Sequence, residues 1–371
     1  MRISRSVIFV LALSAMSCST KQGVLKSTSG RVYSPSDYYR IALDNSVAFE
    51  KSGFSDMGKY DAAEEYFNRA IAVEKGDADI WFNVGRLFFY AGEYPRAKEA
   101  FKNAIKYRKG FVEAYSMLSK TYINDGNMDS ALGVMLKANE AVPDDDTIMN
   151  NTALIYIEMG NLMYAKRLSE KIIRRNPKFI PAYITLGNIY YFQKNYEYAR
   201  FIYIKAMDEG GDTGEIYTNL GLVTSKIEGK DKAYDLLKKG KEKSPNNPYT
   251  HLNLGEFLLS SGDYEGAIEE FKSAIKINPR LVEAFVDMGM AYTNVNLFDE
   301  ASESYQKALL YNPSYAETYF NYGVLLSDYM LKPKDALVMF KKFTALKSGE
   351  IKKTHRVYKY IDELTKRVKV N

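Results

Sequence analysis

Apolar and polar positions in residues 248–279 follow the period of two short helices, which Ser261-Gly262-Asp263 separates. One face of the first helix, at i, i+3, i+4 and i+7, carries His251, Leu254, Gly255 and Leu258. The second helix repeats this spacing with Ala267, Phe271 and Ala274, and Pro279 ends the unit because proline cannot continue a helix. A helical hairpin of about thirty residues cannot close a hydrophobic core alone, so the pattern predicts that neighbouring hairpins stack on it.

The same hairpin pattern recurs along the chain with a constant step of about 34 residues. A small residue stands at the eighth position of successive units: Gly85, Ser119, Ala153, Gly187, Gly221, Gly255, Gly289 and Gly323. An alanine keeps the same step at the twentieth position: Ala63, Ala97, Ala131, Ala165, Ala199, Ala233, Ala267, Ala301 and, after a slip of one residue, Ala336. Six of those eight small residues are glycine in a chain with only 24 glycines among 371 residues, so the repeat is not a chance match.

These residues resemble the tetratricopeptide repeat family, whose pattern reads W-x2-L-G-x2-Y, then A-x3-F, then P. The unit that starts at Ala78 fits the pattern almost completely, with Trp81, Val84, Gly85, Phe88, Ala97 and Phe101. The resemblance covers roughly residues 37–346 as nine repeats. It implies an all-α fold, a right-handed superhelical solenoid of about nine helix-turn-helix repeats whose concave groove is lined mainly by each unit's first helix.

The physical reason for the pattern is close packing between helices. Glycine at the eighth position and alanine at the twentieth let the two helices of a unit approach closely, and larger residues fill the volume between units. Each interface buries apolar area at roughly 25 cal/mol per Å², so stability is a sum over neighbouring units rather than the property of one central core.

The first seventeen residues are typical of a secretory signal peptide. Arg2 and Arg5 precede the apolar run Val7–Ser14, which is too short to cross a membrane as a helix. The run ends just before Cys18, the only cysteine of the chain, and this arrangement resembles a bacterial lipobox, in which the cysteine is lipidated. Ala15 and Met16 depart from the usual lipobox residues, and the alternative is ordinary cleavage after Ser17.

This N-terminus predicts a protein of the bacterial cell envelope that is lipid-anchored at Cys18 and faces the periplasm. The outer membrane is favoured over the inner, and without lipidation the protein would be secreted into the periplasm. Residues 18–35 are polar and aperiodic and are interpreted as the lipid attachment site and a flexible tether. The repeat array is predicted to occupy residues 36–346.

Residues 347–371 are predicted to form a basic capping helix that closes the array. Its apolar positions near one face are Ile351, Tyr358, Ile361, Leu364 and Val368. From Lys341 onward, ten Lys or Arg side chains stand against three Asp or Glu, while the whole chain carries +5. This end is suited to anionic lipid headgroups or to an acidic partner, or it is a solvated face; an exported protein is not expected to bind nucleic acid.

One joint inside the array has a weaker pattern than its neighbours. The segment Glu209–Gly214 lacks the usual turn proline, and the following unit has Thr224, Lys230 and Gly240 where larger, aromatic or alanine residues are usual. The pattern favours either drift in a tolerant repeat or a hinge near residues 209–214.

The sequence gives little evidence for a catalytic or metal-binding site. The chain has two histidines: His251 occupies the tryptophan slot of its repeat, and His355 lies in the basic cap. The sequence contains no H-E-x-x-H and no G-x-x-x-x-G-K-[ST] motif, and no cluster of metal ligands. We therefore expect neither an enzyme nor a cofactor or metal site.

The candidate binding residues lie on the first helices, where positions five, nine and twelve are expected to face the groove. In the second repeat they are Phe82, Arg86 and Phe89, with Tyr90 beside them, and Lys120 follows in the third. Position six is asparagine in five units: Asn83, Asn151, Asn219, Asn253 and Asn321. Because an amide both donates and accepts, this ladder suits an extended peptide, although asparagines at this position also satisfy local polar groups.

The sequence thus predicts a membrane-tethered scaffold or adaptor that binds a protein or peptide segment in its groove. The second repeat is the expected centre of recognition, because aromatic and arginine side chains dominate binding hot spots. The alternative is a structural component of an envelope assembly that packs through its convex face or its ends. An enzyme ranks third, and the pattern does not specify an oligomeric state.

Overall fold

The structure is a computed structural model that describes residues 25–26, 32–54, 56–349, 351–352 and 354–370. The predicted signal peptide and Cys18 lie outside the described residues. Two short strands, β1 (Leu25–Lys26) and β2 (Val32–Tyr33), form an antiparallel pair within the segment interpreted as a tether.

Helices make up almost all of the described chain, as the sequence predicts. Their bounds are α1 (Pro35–Lys51), α2 (Met57–Val73), α3 (Ala78–Ala91), α4 (Tyr94–Tyr107), α5 (Val112–Asn124), α6 (Met128–Ala141), α7 (Asp146–Glu158), α8 (Leu162–Arg175), α9 (Ile180–Phe192), α10 (Tyr196–Asp208), α11 (Gly214–Ile227), α12 (Lys230–Lys243), α13 (Pro248–Ser261), α14 (Tyr264–Ile277), α15 (Val282–Asn294), α16 (Phe298–Tyr311), α17 (Ala316–Val324), α18 (Pro333–Leu346) and α19 (Arg356–Val370). Helices α1 to α18 pair into nine hairpins, and from α3 to α17 each first helix starts one full repeat after the previous one, without insertion or deletion.

The chain divides into two compact units, which we describe separately. Unit 1 ends at Gly211 and contains the hairpins from α1 to α10; unit 2 begins at Asp212 and contains α11 to α19. Within each unit, consecutive helices pack together, and each first helix also contacts the first helix of the next hairpin. The division falls inside the segment with the weakened repeat pattern, and its role as a hinge stays a prediction.

Glycine at the eighth position allows close packing inside each hairpin. A Cβ atom on Gly255 would lie 2.6 Å from the buried ring of Phe271 on the partner helix, and one on Gly85 would lie 2.5 Å from the ring of Phe101. The alanines at the twentieth position are completely buried in all nine hairpins. Ser119, which replaces glycine in the third repeat, donates its hydroxyl to the carbonyl of Ala131 at 3.1 Å. The predicted close approach of the two helices is confirmed.

The one-residue slip before Ala336 is accommodated by a π-helical segment. Residues Leu325–Tyr329 continue α17 as one π-turn, which holds one more residue than an α-turn. Gly323 then faces Phe340, and Gly289 faces Tyr305, so the sequence separation between glycine and ring is longer by one position in the ninth hairpin. The extra residue is therefore absorbed within the first helix, and the packing of the ninth hairpin is preserved.

Both ends of the array differ from the interior repeats. Ser34 and Asp37 form a capping box at the start of α1, and both helices of the first hairpin have 17 residues. The predicted capping helix begins at Arg356, later than the pattern suggested, and buries Val357 and Leu364. Tyr358, expected on its packing face, is 38% exposed. In the described residues, no helix is long and apolar enough to span a membrane.

Candidate binding face

The first helices leave positions two and thirteen at least partly exposed, counted from the first residue of each helix, and most of them also expose positions six and nine. The exceptions are Met117, Asn151 and Thr185 at position six and Leu154 at position nine, which are buried. In α15 the stripe at these four positions consists of Glu283, Asp287, Met290 and Asn294, while most positions around it are buried. We call this stripe the first-helix face of each unit. The predicted stripe at five, nine and twelve is wrong at position five, where Ser116, Asn150, Ile184, Thr218, Leu252, Val286 and Phe320 are all buried.

Position five is buried because it meets position six of the next first helix. Asn151 donates from Nδ2 to the hydroxyl of Ser116 at 2.8 Å, and Thr185 donates to Oδ1 of Asn150 at 2.9 Å. These contacts join successive first helices, so the side chains at position five stabilise the array and are not available to a partner.

Four of the five position-six asparagines already have local partners. Asn83 donates to the hydroxyl of Tyr39 at 2.8 Å, Asn151 donates to Ser116, and Asn321 lies 3.3 Å from the sulfur of Met290. Asn253 donates to the Tyr249 carbonyl of its own helix, whereas Nδ2 of Asn219 has no hydrogen-bond partner among the described residues. Peptide binding by the ladder stays a prediction, and Nδ2 of Asn219 is itself buried.

The two phenylalanines of the second repeat belong to the packing between repeats. Phe89 is only 7% exposed, and the ring of Phe82 lies 4.9 Å from that of Phe111 and 5.9 Å from that of Phe101. Both rings, predicted as binding residues, therefore contribute to the packing of the fold. Phe82 stands at position five, so its ring is directed to the next repeat like the other residues there.

The charge of Arg86 is already compensated inside unit 1. Its Nη2 lies 3.0 Å from the Glu50 carboxylate, and its guanidinium lies 5.9 Å from the centre of the Tyr90 ring. Tyr90 in turn stacks on Phe54 at 5.1 Å. Burial raises the pKa of Glu50 above its ordinary value, and the charge of Arg86 opposes this effect. Arg86 and Tyr90 thus connect the first two hairpins.

Lys120 is the half-buried cation of the unit 1 first-helix face that lacks a counter-charge. Its Nζ lies 5.6 Å from the centre of the Phe89 ring, and no acidic side chain in the described residues forms an ion pair with it. Burial lowers the pKa of this amine. A carboxylate that reached Lys120 would meet an ammonium already stripped of part of its water.

Unit 2 carries the opposite charge on its first-helix face. Glu256 stands at position nine of α13, and Glu283 and Asp287 stand at positions two and six of the adjacent first helix α15, near enough for the charges to act on one another. No lysine or arginine in the described part of the chain forms an ion pair with any of the three. We call these three residues the acidic cluster.

Burial is the main reason why the pKa values of the acidic cluster are raised. Burial, with the charges of Asp287 and Glu283, raises the pKa of Glu256 well above its ordinary value. Burial and the charge of Glu283 raise the pKa of Asp287 to about 7. Burial followed by the charge of Glu283 raises the pKa of Tyr249 to about 12, which places this ring beside the cluster. The cluster is a half-buried acidic surface with an aromatic neighbour.

Sequence reasoning missed the acidic cluster because it assigned the open stripe to other positions. Of the three acids, only Glu256 stood on the predicted stripe, at position nine. Writing out positions two, six and nine of neighbouring repeats would have placed all three carboxyls together.

The two histidines are held in structural contacts. Nδ1 of His251 lies 2.7 Å from Glu270, and its Nε2 lies 3.0 Å from the Pro245 carbonyl. The His355 ring lies against those of Phe320 and Phe343, each at 5.6 Å. In the part of the chain that the structure describes, no group of three His, Cys, Asp or Glu residues is placed to hold a metal ion.

Comparison with known families matches this architecture to one repeat type. Tetratricopeptide repeat models match residues 53–89, 88–150, 180–208 and 282–315, and a TPR repeat model matches residues 257–295. Together these matches cover half of the chain, in both units.

Individual relatives are distant. The BBSome complex member BBS4 of Bos taurus is 24% identical over 289 residues, which are 77% of this chain and 55% of that protein. The chain thus spans about half the length of this curated relative. The crystal structure of the APC/C hetero-tetramer Cut9-Hcn1 aligns over 90% of this chain and 67% of its own, at 14% identity and a TM-score of 0.54. Yeast Tom70 aligns over 89% and 97%, at 12% identity and a TM-score of 0.50. Both structures are similar to this chain in fold.

Proposed function

This chain belongs to the tetratricopeptide repeat family, and on that premise we propose that it is a membrane-tethered scaffold that binds a segment of a partner protein along its first-helix faces. Stacked helical repeats of this kind are scaffolds for protein–protein interaction, because they present extended binding surfaces on rigid helices. The membrane tether is the lipid anchor proposed at Cys18, which would hold the scaffold at the periplasmic side of a bacterial envelope membrane.

The observation that carries the binding proposal is the set of half-buried charges without a counter-charge. Lys120 in unit 1 and the acidic cluster in unit 2 are partly removed from water, yet neither is ion-paired with a residue that the structure describes. A partly desolvated charge is unfavourable until an opposite charge reaches it. Such groups also cluster at functional sites more often than elsewhere on a surface.

The signs of these charges specify the partner. A carboxylate of the partner would meet Lys120, and a lysine or arginine side chain would meet the acidic cluster. Arrival of a cation favours ionised carboxylates, so binding at the acidic cluster should release protons near pH 6. Isothermal titration calorimetry in buffers with different ionisation enthalpies measures that release.

A peptide-display screen against the full chain tests the proposal. We expect peptides that contain lysine or arginine to be selected by the wild type. The variant Glu256→Gln, Glu283→Gln, Asp287→Asn should bind them at least tenfold more weakly, because truncating one partner of a buried charge pair costs about 2–5 kcal/mol. The matched control Glu265→Gln, Glu269→Gln, Glu300→Gln removes three exposed acids of the second helices and should bind normally. Equal loss in both variants, or no selected peptide, would contradict binding at this face.

A structural role in an envelope assembly is the second candidate, and one observation favours it. The second helices α8 and α10 of unit 1 expose large apolar side chains: Met163, Tyr164, Tyr198, Phe201 and Ile204. Exposed apolar patches mark contact surfaces when they are contiguous. A stable oligomer that disperses when Tyr198 and Phe201 become Ser, and that accepts no peptide, would favour this candidate over the first.

A further inference from the structure

Helix α18 of unit 2 exposes a row of lysines that have no counter-charge. Lys334, Lys341 and Lys342 are exposed within roughly a quarter of the helix circumference, and Lys332 precedes them in the turn. None of the four forms an ion pair with an acidic side chain among the described residues, and Asp335 is the single acid of this helix. The ammonium groups of this row are thus available to an external anion.

Helix α12, also in unit 2, is a lysine-rich helix in which lysine side chains form ion pairs with acidic side chains. It has six lysines, and its ion pairs include Lys232 with Glu228 at 3.0 Å, Lys241 with Glu270 at 2.7 Å, and Lys243 with Asp212. These ion pairs compensate three of its six lysines inside the protein. Half of the lysines of α12 are thus paired with acidic side chains, whereas none of the lysines in the row on α18 forms an ion pair among the described residues.

Two aliphatic side chains stand exposed on the same surface. Val338 lies within the lysine row and is 59% exposed, and Leu331, at the turn before α18, is 74% exposed. Leu331 also has a left-handed backbone, with φ of +52°, at a turn where other hairpins place Gly92, Gly126, Gly160, Gly262, Lys194 or Asn296. A bulky residue with this backbone is strained.

A comparison with Phe54 shows what is unusual about Leu331. Phe54 has the same backbone, with φ of +63°, but its ring packs on Phe49 at 5.6 Å and on Tyr90 at 5.1 Å. Leu331 combines a strained backbone with an exposed apolar side chain, and no comparable packing offsets it. Backbone strain retained at a surface position is associated with function.

We propose that this surface docks on an anionic lipid bilayer. It consists of Leu331, Lys332, Lys334, Val338, Lys341 and Lys342, and we call it the basic face. The unpaired lysines match lipid phosphates, their long aliphatic stems reach the headgroup region, and the two aliphatic side chains enter the acyl boundary. An acidic protein would match the lysines but would leave the exposure of Leu331 and Val338 unexplained. The proposal goes beyond the scaffold function and does not depend on the anchor at Cys18.

Vesicle co-sedimentation tests the basic face with the full chain carrying Cys18→Ser, so that no acyl chain adds to the binding. Vesicles of phosphatidylglycerol and phosphatidylcholine at 3:7 are compared with pure phosphatidylcholine, which reports any contribution from the apolar run Val7–Ser14. We expect binding to the anionic vesicles only, and its loss in 1 M NaCl, where the Debye length is about 3 Å.

Two matched lysine variants separate the basic face from general electrostatics. Lys334→Gln, Lys341→Gln, Lys342→Gln should weaken partitioning roughly five-fold per lysine, or about a hundred-fold in total. Lys230→Gln, Lys232→Gln, Lys238→Gln makes the same change in net charge on α12 and should bind as the parent does. Equal weakening in both variants would overturn the proposal.

A third variant, Leu331→Asn, leaves the charge unchanged and introduces the residue that the eighth hairpin uses at this turn. It should weaken vesicle binding several-fold while thermal melting stays the same or improves, because asparagine tolerates the left-handed backbone. Unchanged vesicle binding would show that the turn does not enter the bilayer. Binding of the parent to polyglutamate but to no vesicle would assign the basic face to an acidic protein and overturn the lipid proposal.

Discussion

Replacing Asp287 with asparagine tests whether the acidic cluster destabilises the unit that carries it. The fold raises the pKa of Asp287 to about 7 from its ordinary 3.8, chiefly through burial. Because the folded-state pKa lies above the unfolded-state pKa, folding favours the protonated acid. The stability that protonation gives unit 2 is therefore full below about pH 4 and is lost as the pH rises towards 7.

The size of the effect follows from that pKa difference. Each pKa unit corresponds to about 1.4 kcal/mol, so the difference sets an upper limit of about 4 kcal/mol at pH 8. The pKa of Glu256 depends on the charges of Asp287 and Glu283, and that of Asp287 depends on the charge of Glu283, so part of this energy belongs to the cluster as a whole. We expect Asp287→Asn to stabilise α15 by about 2 kcal/mol at pH 8 and to have almost no effect at pH 4.

Hydrogen exchange measured by mass spectrometry on residues 282–294 reports this local stability without assuming two-state unfolding of a repeat array. After correction for the intrinsic pH dependence of exchange, helix α15 of the variant should unfold locally about thirty-fold less often than that of the wild type at pH 8. Glu269→Gln, an exposed acid on the neighbouring α14, is the control and should change nothing at either pH. Equal protection of wild type and Asp287→Asn at pH 8, or the same gain at both pH values, would refute the reasoning.

Further predictions concern packing, the tether and the joint between the units. Gly255→Ala should destabilise its hairpin by about 1 kcal/mol, since overpacking exceeds the gain in helix propensity, whereas Gly133→Ala, with open space around it, should stabilise α6 by about 1 kcal/mol in thermal melts. Phe89→Ser should destabilise unit 1 by about 3 kcal/mol in chemical denaturation, because its ring is buried. Cys18→Ser should release the protein from the membrane fraction, and unmodified Cys18 in membrane-extracted protein would exclude lipidation. Hydrogen exchange should be faster at Gly210–Gly214 than in other interior turns, and uniform protection there would exclude a hinge.

The periodic part of the fold could be predicted from the sequence almost residue by residue. Local packing imposes it, since a glycine must face a large ring such as that of Phe271 wherever the hairpin recurs. The slip before Ala336 was also visible in the sequence. The sequence did not show where the extra residue is placed, because it fits either a longer turn between the helices or a π-turn within the first helix. The apolar pattern is the same for both.

The binding face was predicted less well, for a geometric reason. Whether position five points to solvent depends on the angle between successive first helices, and a single helical pattern does not specify that angle. The contact between Asn150 and Thr185 shows that the next first helix covers position five. In α15, positions two and six are partly exposed, and Glu283 and Asp287 stand there. Because the sequence does not specify this angle, the predicted stripe included packing residues such as Phe82.

Comparing repeats within the chain separates residues that the fold requires from those that it leaves free. The eighth position carries only Gly, Ser or Ala, since a larger side chain would collide with the partner helix. The ninth position, one residue further, carries Arg86, Lys120, Leu154, Asn188, Leu222, Glu256, Met290 and Val324. Both positions occur once in each first helix from α3 to α17. The difference in residue type between them therefore reflects the contacts that each position makes. The repeat therefore does not prescribe one residue at the ninth position, where Arg86 forms an ion pair and Leu154 is buried. The charges of Lys120 and Glu256 form no ion pair among the described residues, and we propose that they serve recognition of a partner.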